Sequence, residues 1–225
     1  MNFVLHSFAT GKVMQGSTFS SPHYWEDKKT DIELKRFDFV VANPPFSTKN
    51  WKNGYKDYGR MAGFTEPPKK NGDYAWMLHI IKSLKSTGKA AVVLPHGVLF
   101  SGNAEAEIRK MLVDSGIIKG VIGLPANLFY GTGIPACIIV LDKENASSRT
   151  GIFMIDASRS FAKDGSKNRL RERDIYKIVK HFLESINEDK FSRFVPFEEI
   201  KTKNDYNLNI QRYIDGSEPE DIQNI

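Results

Sequence analysis

The apolar residues change period several times along the chain, and each change predicts an element. Phe37-Asp38-Phe39-Val40-Val41-Ala42 is mostly β-branched or aromatic and predicts a buried strand, which ends where Asn43-Pro44-Pro45 withholds two backbone donors in a row. From Asp73 the period becomes helical: Tyr74, Met77, Leu78, Ile81 and Leu84 share a face, Asp73 is placed to cap the start, and Gly88 follows the end. Lys89 to Leu94 predicts a strand with Pro95 to Phe100 as the loop at its carboxyl end. A second helix is predicted after Asn103, with Glu105 and Glu107 in its first turn, Ile108, Met111 and Leu112 facing inward, and Gly116 beyond it. Ile117 to Leu124 and Ala136 to Leu141 predict two strands. The turn-rich loop Pro125 to Pro135 that joins them has no helix, which fits an antiparallel pair.

Ile152 to Ile155 reads as a short strand. Residues 156–174 are polar and mostly basic, with Arg159, Lys163, Lys167, Arg169, Arg171 and Arg173; the stretch reads either as a solvated linker or as a phosphate contact. Ile175, Ile178, Val179, Phe182, Leu183 and Ile186 then trace one helical face. Phe191 to Ile214 carries enough apolar residues to dock on the body of the protein, and residues 215–225 read as a loose, acidic end. Strands alternating with helices place the chain in the α/β class.

Composition narrows the possibilities further. With 225 residues, 40% hydrophobic and 26% charged, the chain has the make-up of an ordinary globular protein able to bury a sizeable core. No apolar run has membrane-spanning length and no signal peptide is evident, so a cytoplasmic protein without a membrane partner is expected. Cys137 has no disulfide partner and lies in an apolar run. His6, His23, His79, His96 and His181 lack metal-ligand spacing, so no metal site is expected. His96, in the loop after a strand and so on the crevice edge, reads as structural more readily than as catalytic. The net charge of +5 leans toward polyanionic partners.

The chemistry is expected where the strand at 37–42 stops, because ligands of open α/β sheets bind at the carboxyl ends of strands. Asn43 offers a carbonyl and an amide there. An exocyclic amine such as adenine N6 is a poor nucleophile, since its lone pair is conjugated with the ring. Two acceptors that hold both N–H groups favour a tetrahedral nitrogen, and the Asn43 side-chain oxygen and the Pro44 carbonyl can serve as that pair. Pro45 stiffens the loop, and Phe46 presents a flat face to a base taken out of a helix. The tetrapeptide alone fits equally well a proline-stiffened loop after a strand. Residues 47–72 interleave Trp51, Tyr55, Tyr58 and Phe64 with Lys49, Lys52, Lys56, Arg60, Lys69 and Lys70. Such a segment suits base stacking and phosphate neutralisation, with Lys49, Trp51, Lys52, Tyr55, Lys56 and Arg60 as DNA contacts, or else is a surface loop pinned by a few aromatics.

Asn43-Pro44-Pro45-Phe46 resembles the motif of amino-group DNA methyltransferases that use S-adenosylmethionine. Together with Met1 to His6, Phe37 to Phe46, Val93 to Phe100, Gly123 to Pro135 and the Asn204-Asp205-Tyr206-Asn207-Leu208-Asn209-Ile210 stretch with Arg212-Tyr213, it makes the chain similar to the modification subunit of type I restriction-modification systems, a family of N6-adenine DNA methyltransferases. The resemblance implies a partial methyltransferase-like (Rossmann-like) sheet ending in an antiparallel hairpin, with a carboxyl-terminal helical extension. Residues 1–145 would be the carboxyl-terminal part of the catalytic domain, and residues 146–225 a small strand and helix extension with its tail. It further implies Asn43, Pro44, Pro45 and Phe46 as the catalytic motif. Phe129 would be the second aromatic around the flipped base, although it fits a core anchor beside Tyr130 too.

The implied cofactor is S-adenosylmethionine. The implied partners are double-stranded DNA, the specificity and restriction subunits of a type I complex, and an amino-terminal half of the catalytic domain. The family's glycine-rich cofactor turn has no match in this sequence, and Ser17 stands where relatives often carry an acidic or amide residue. The chain is thus expected to correspond to the carboxyl-terminal part of a modification subunit, with an exposed sheet edge, and to be inactive alone. The alternative expectation is a catalytically dead remnant that binds DNA or a specificity subunit. An RNA or protein amine methyltransferase is allowed by the tetrapeptide, but the stretch from Asn204 to Ile210 points away from it.

Overall fold

The computed structural model describes residues 13–22, 25–28 and 31–214. The stretches Met1 to His6 and 215–225 lie outside them. A short antiparallel pair, β1 (Trp25–Lys28) and β2 (Asp31–Leu34), precedes the main sheet. That sheet has six strands in the order β3 (Phe37–Ala42), β4 (Leu84–Pro95), β6 (Ala136–Asp142), β5 (Ile118–Gly123), β7 (Gly151–Asp156) and β10 (Ser192–Pro196), with the order written spatially. β3 runs parallel to β4 and β5 parallel to β7, while β6 and β10 run against their neighbours. The carboxyl ends of β3, β4, β5 and β7 therefore all face one edge of the sheet.

The antiparallel pair expected around residues 117–141 is present, but it does not end the sheet. β6 inserts between β4 and β5, where both of its edges are paired, and β7 and β10 continue the sheet on the far side of β5. The mixed α/β class stands; the terminal position of the hairpin is corrected. At the opposite margin β3 has no strand on its outer side among the described residues, and Phe39 and Val41 are 76% and 85% exposed.

Alternation along the strands builds two apolar layers. Val121, Cys137, Ile139, Leu141, Ile152 and Met154 face a core shared with α1 (Asp73–Lys82) and α2 (Ala104–Asp114), whose Tyr74, Met77, Leu78, Ile108 and Leu112 are buried there. Ile122, Phe153 and Ile155 face the other way, toward α3 (Glu172–Glu184) and Phe191, with Ile138 and Val140 packed alongside. α3 approaches closely because Gly120 has no side chain: a Cβ there would meet the Phe182 ring at 2.3 Å.

Several local expectations change. Met111 is partly exposed on α2, and Ile175, Val179 and Leu183 of α3 face solvent while Ile178 is buried. The apolar stripe of α3 is wider than the surface it covers. The tail docks as expected and adds β10, a strand its sequence did not announce. Buried Arg109 secures the tail by donating to the carbonyls of Tyr206 (2.8 Å) and Ser101 (2.8 Å). No helix among the described residues is long and apolar enough to cross a membrane.

Candidate nucleobase site at the carboxyl edge of the sheet

At the end of β3 the chain turns sharply. Asn43 and Pro45 are exposed, Pro44 is buried and Phe46 half-buried. Ser47 follows with φ of +49°, a left-handed conformation uncommon for a residue with a side chain. Three contacts with the start of α1 hold it. The Ser47 N–H donates to Asp73 Oδ1 (2.7 Å), the Gly72 N–H donates to the Thr48 carbonyl (3.0 Å), and Trp76 Nε1 donates to Thr48 Oγ1 (3.2 Å). Thr48 Oγ1 in turn donates to the Pro45 carbonyl at 2.8 Å. Asp73, expected to cap its own helix, instead binds a residue 26 positions earlier, and Gly72 is the N-cap. Burial raises the Asp73 carboxyl pKa, opposed by its hydrogen bonds with Ser47 and Asn71.

The loop between β5 and β6 leaves the same edge and brings Phe129 to Phe46. Their rings meet edge to face, with centroids 5.9 Å apart and planes at 80°. Asn43, Pro44, Pro45 and Phe46 on one side and Phe129, Tyr130, Gly131 and Thr132 on the other line a cleft of about 320 Å³. Residues far apart in sequence thus form one apolar cleft with a polar amide at its rim, the general form of a small-ligand site. Tyr130 is 95% exposed.

The aromatic and cationic loop 47–72 divides into an inner and an outer part. Trp51 and Arg60 are buried, a correction to their expected place on a DNA-facing surface. Trp51 packs against Phe19 and Tyr55 and donates to the Pro68 carbonyl (2.9 Å). The Arg60 guanidinium lies over Phe19, Tyr55 and Tyr58 and donates to the carbonyls of Thr18 and Phe19. Tyr55 is half-buried, with its hydroxyl donating to Asp57 (2.9 Å). Lys52 pairs with Glu66 at 2.5 Å, and Lys49 and Lys56 are exposed. The cationic and aromatic residues that sequence grouped as one surface thus make an internal cation–π cluster with a thinner outer rim.

His96 is not part of the cleft. Its Nε2 is buried near Gly123, and burial lowers its pKa. Ser17 is exposed and lies apart from the cleft lining.

A sequence profile described as N-6 DNA Methylase matches residues 1–222. The chain belongs to this family. Similar proteins include the Methanocaldococcus jannaschii type I restriction enzyme MjaVIII methylase subunit, 36% identical over 99% of this chain and 40% of that protein. The Mycoplasma pneumoniae MpnII methylase subunit is 33% identical over 99% of this chain and 42% of its own length. The chain therefore spans about two fifths of the curated relatives it matches. The crystal structure of a type I restriction-modification methyltransferase subunit from Streptococcus thermophilus superimposes with a TM-score of 0.74 at 45% identity, covering 84% of this chain and 40% of that one. The chain is thus a homologue of part of a type I methylase subunit. Within it, the cleft brings together parts of two of the stretches that carry the sequence resemblance, Asn43 to Phe46 and Phe129 to Thr132.

Proposed function

We propose that this chain is the base-binding part of a type I modification subunit that methylates adenine N6 in duplex DNA. The observation that carries this reading is the meeting of Asn43-Pro44-Pro45-Phe46 with Phe129 across one cleft at the carboxyl edge of the sheet. Asn43 Oδ1 and the Pro44 carbonyl accept the two N6–H bonds of an extrahelical adenine and favour a tetrahedral nitrogen. Phe46 and Phe129 take the faces of the base. Lys49 and Lys56, exposed in the segment after the motif, are the cations available to phosphates in this reading.

S-adenosylmethionine, when bound, supplies the methyl group. The described residues do not by themselves make its cradle: the only strands before β3 among them are β1 and β2, and neither leads into a glycine-rich turn. The contribution of this chain is on the acceptor side, in holding and orienting the amine. The partners in this reading are duplex DNA, the specificity and restriction subunits of a type I complex, and the part of a modification subunit that carries the cofactor turn, in the cytoplasm. A second reading, a module that binds DNA or a specificity subunit without methylating, is supported by the exposed cations Lys49 and Lys56 after the motif.

Methyl transfer from radiolabelled S-adenosylmethionine to duplex DNA separates the two, measured for the chain alone and with the amino-terminal half of a related modification subunit. N6-methyladenine that disappears in the Asn43→Ala variant supports the enzyme. Salt-sensitive DNA binding with no transfer in either setting supports the binding module.

A further inference from the structure

The basic stretch 156–174 contains a small antiparallel hairpin, β8 (Ala162–Asp164) and β9 (Lys167–Arg169). It follows β7 and so leaves the sheet at the same edge as Asn43 and the β5–β6 loop. Its second strand reaches that loop. Lys167 Nζ donates to the carbonyls of Phe129 (2.9 Å) and Thr132 (3.1 Å). The adjacent Asn168, 7% exposed, donates from Nδ2 to the Ala126 carbonyl (2.7 Å) and from its backbone N–H to the Asn127 carbonyl (3.0 Å). Two neighbouring residues thus make four hydrogen bonds that gather the loop from Ala126 to Thr132.

The tip of the loop needs such support. Gly131 has φ of +79° with nothing within 4 Å of a Cβ built on it, and Tyr130 is almost wholly in solvent. Inside the loop, the link from the Asn127 N–H to the Gly133 carbonyl is long, at 3.4 Å. The carbonyl that Lys167 grips belongs to Phe129 itself, so the ammonium fixes the backbone from which the ring projects toward Phe46.

We propose that Lys167 is a positioning residue of the base-binding cleft: through the Phe129 and Thr132 carbonyls it holds the Phe129 ring opposite Phe46, and it is not a phosphate contact. The proposal rests on reading the cleft as the adenine site. An ammonium suits the task because it has three donors and its bonds to the carbonyls are charge-assisted. No side-chain interaction with the base is involved, and arginine, with its own fork of donors, can replace lysine.

The test compares wild type, Lys167→Met and Lys167→Arg in two measurements on the whole chain. In the first, amide hydrogen exchange is followed in peptides covering 125–135 and, as a control, 136–142. Lys167→Met, which removes both charge-assisted hydrogen bonds, is expected to speed exchange in the loop by about tenfold or more, the effect of losing even one of them, and to leave the strand unchanged, while Lys167→Arg stays near wild type. In the second, the chain is titrated with an end-labelled duplex carrying 2-aminopurine opposite an abasic site. Lys167→Met should keep the anisotropy-derived affinity for the duplex and lose the 2-aminopurine fluorescence change, with rescue by arginine. Unchanged loop exchange in Lys167→Met overturns the tether. Loss of duplex affinity in parallel with the fluorescence change overturns positioning in favour of a phosphate contact. A wild-type chain that binds the duplex without any 2-aminopurine response overturns the base-site reading, and the positioning role with it, whatever the exchange data give.

Discussion

Phe129 stands edge-on to Phe46, ring centre to ring centre 5.9 Å, at the edge where β3 and β5 both end. Carbon atoms in contact sit roughly 3.5–4 Å apart, so a base held between two parallel rings needs them about 7 Å from each other. The rings as they stand fill each other's contact surface. A base entering the cleft must turn one ring about its side-chain bonds, since the backbone on both sides is tied down, beside Phe46 by the contacts of Ser47 and Thr48 and at Phe129 by Lys167.

Removing either ring should therefore weaken capture of an extrahelical base without weakening contact with the duplex. Phe46→Ala is expected to cost about 1–3 kcal/mol of binding to a duplex with 2-aminopurine opposite an abasic site, the usual worth of one base–aromatic stack. Binding to the fully paired duplex should be nearly unaffected. Phe129→Ala should act in the same direction, and the double variant should lose less than the sum, because the two rings serve one base. Equal losses on both duplexes, measured by titration at fixed salt, would place the rings in the protein core alone.

Asn43 is exposed at the cleft rim, so its side chain adds little to the fold. Asn43→Ala should leave stability within about 0.5 kcal/mol of wild type in urea melts. In an assembly that supports transfer, the same change should abolish N6-methyladenine formation, because one of the two acceptors for the amine is gone. Turnover preserved in Asn43→Ala would sink the role given to this residue.

The strand at 37–42 and its proline stop are legible because residue type and breaker agree there, but its expected burial is corrected: β3 is an edge strand among the described residues, with Phe39 and Val41 exposed. Other parts are not legible, for identifiable reasons. β8 and β9 read Ala-Lys-Asp and Lys-Asn-Arg and have no apolar alternation, so pattern alone cannot find them. Lys167 grips backbone carbonyls, and a carbonyl leaves no trace in the sequence of its partner. Arg60 and Trp51 fit either a nucleic-acid surface or a loop pinned by its aromatics, since cations among aromatics suit stacking on bases and packing under one another equally well; burial decides for packing. Asp73 looked like a local cap because local bonds are the only ones a sequence displays, whereas its side chain accepts from Ser47. β10 was hidden for a related reason: Ser192 to Pro196 becomes a strand by pairing with β7.

The tie between Asp73 and Ser47 separates charge from hydrogen bonding. The Asp73 carboxyl is buried and its pKa is raised, so the folded state holds this proton more tightly than the unfolded chain. The sign follows: as pH rises from the unfolded value of about 3.9 through the raised folded value, stability falls, and above it the cost of the buried charge is fully present. Asp73→Asn keeps an oxygen for the Ser47 N–H and removes that charge. It should match or exceed wild-type stability at neutral pH. Asp73→Ala leaves the Ser47 N–H without this acceptor and should lose about 1 kcal/mol, with weaker capture of the extrahelical base. Denaturant melts across this pH range check both variants, and a stabilised Asp73→Ala would contradict the tie.

His79 gives the opposite dependence. It lies on α1 beside a cavity lined by Met14, Lys35, Phe37 and Val40, and its Nδ1 is buried without a hydrogen-bond partner. Burial, with the Arg60 charge adding to it, pushes its pKa down to about 4 from an ordinary 6.5. Above pH 6.5 the imidazole is neutral folded and unfolded, and it makes no pH-dependent difference. As pH falls from 6.5 toward 4 the unfolded chain takes up the proton while the folded one does not, and stability drops by about 3 kcal/mol at the full extent of the shift. His79→Leu cannot take up that proton, so the difference between wild type and variant should be constant well above pH 6.5 and change steadily in favour of the variant below it. Urea melts of both proteins at half-unit steps from pH 7.5 to about 4.5 measure that difference directly. Parallel curves over the whole range would mean that His79 is protonated equally in both states and that the cavity at α1 is wetter than its lining implies.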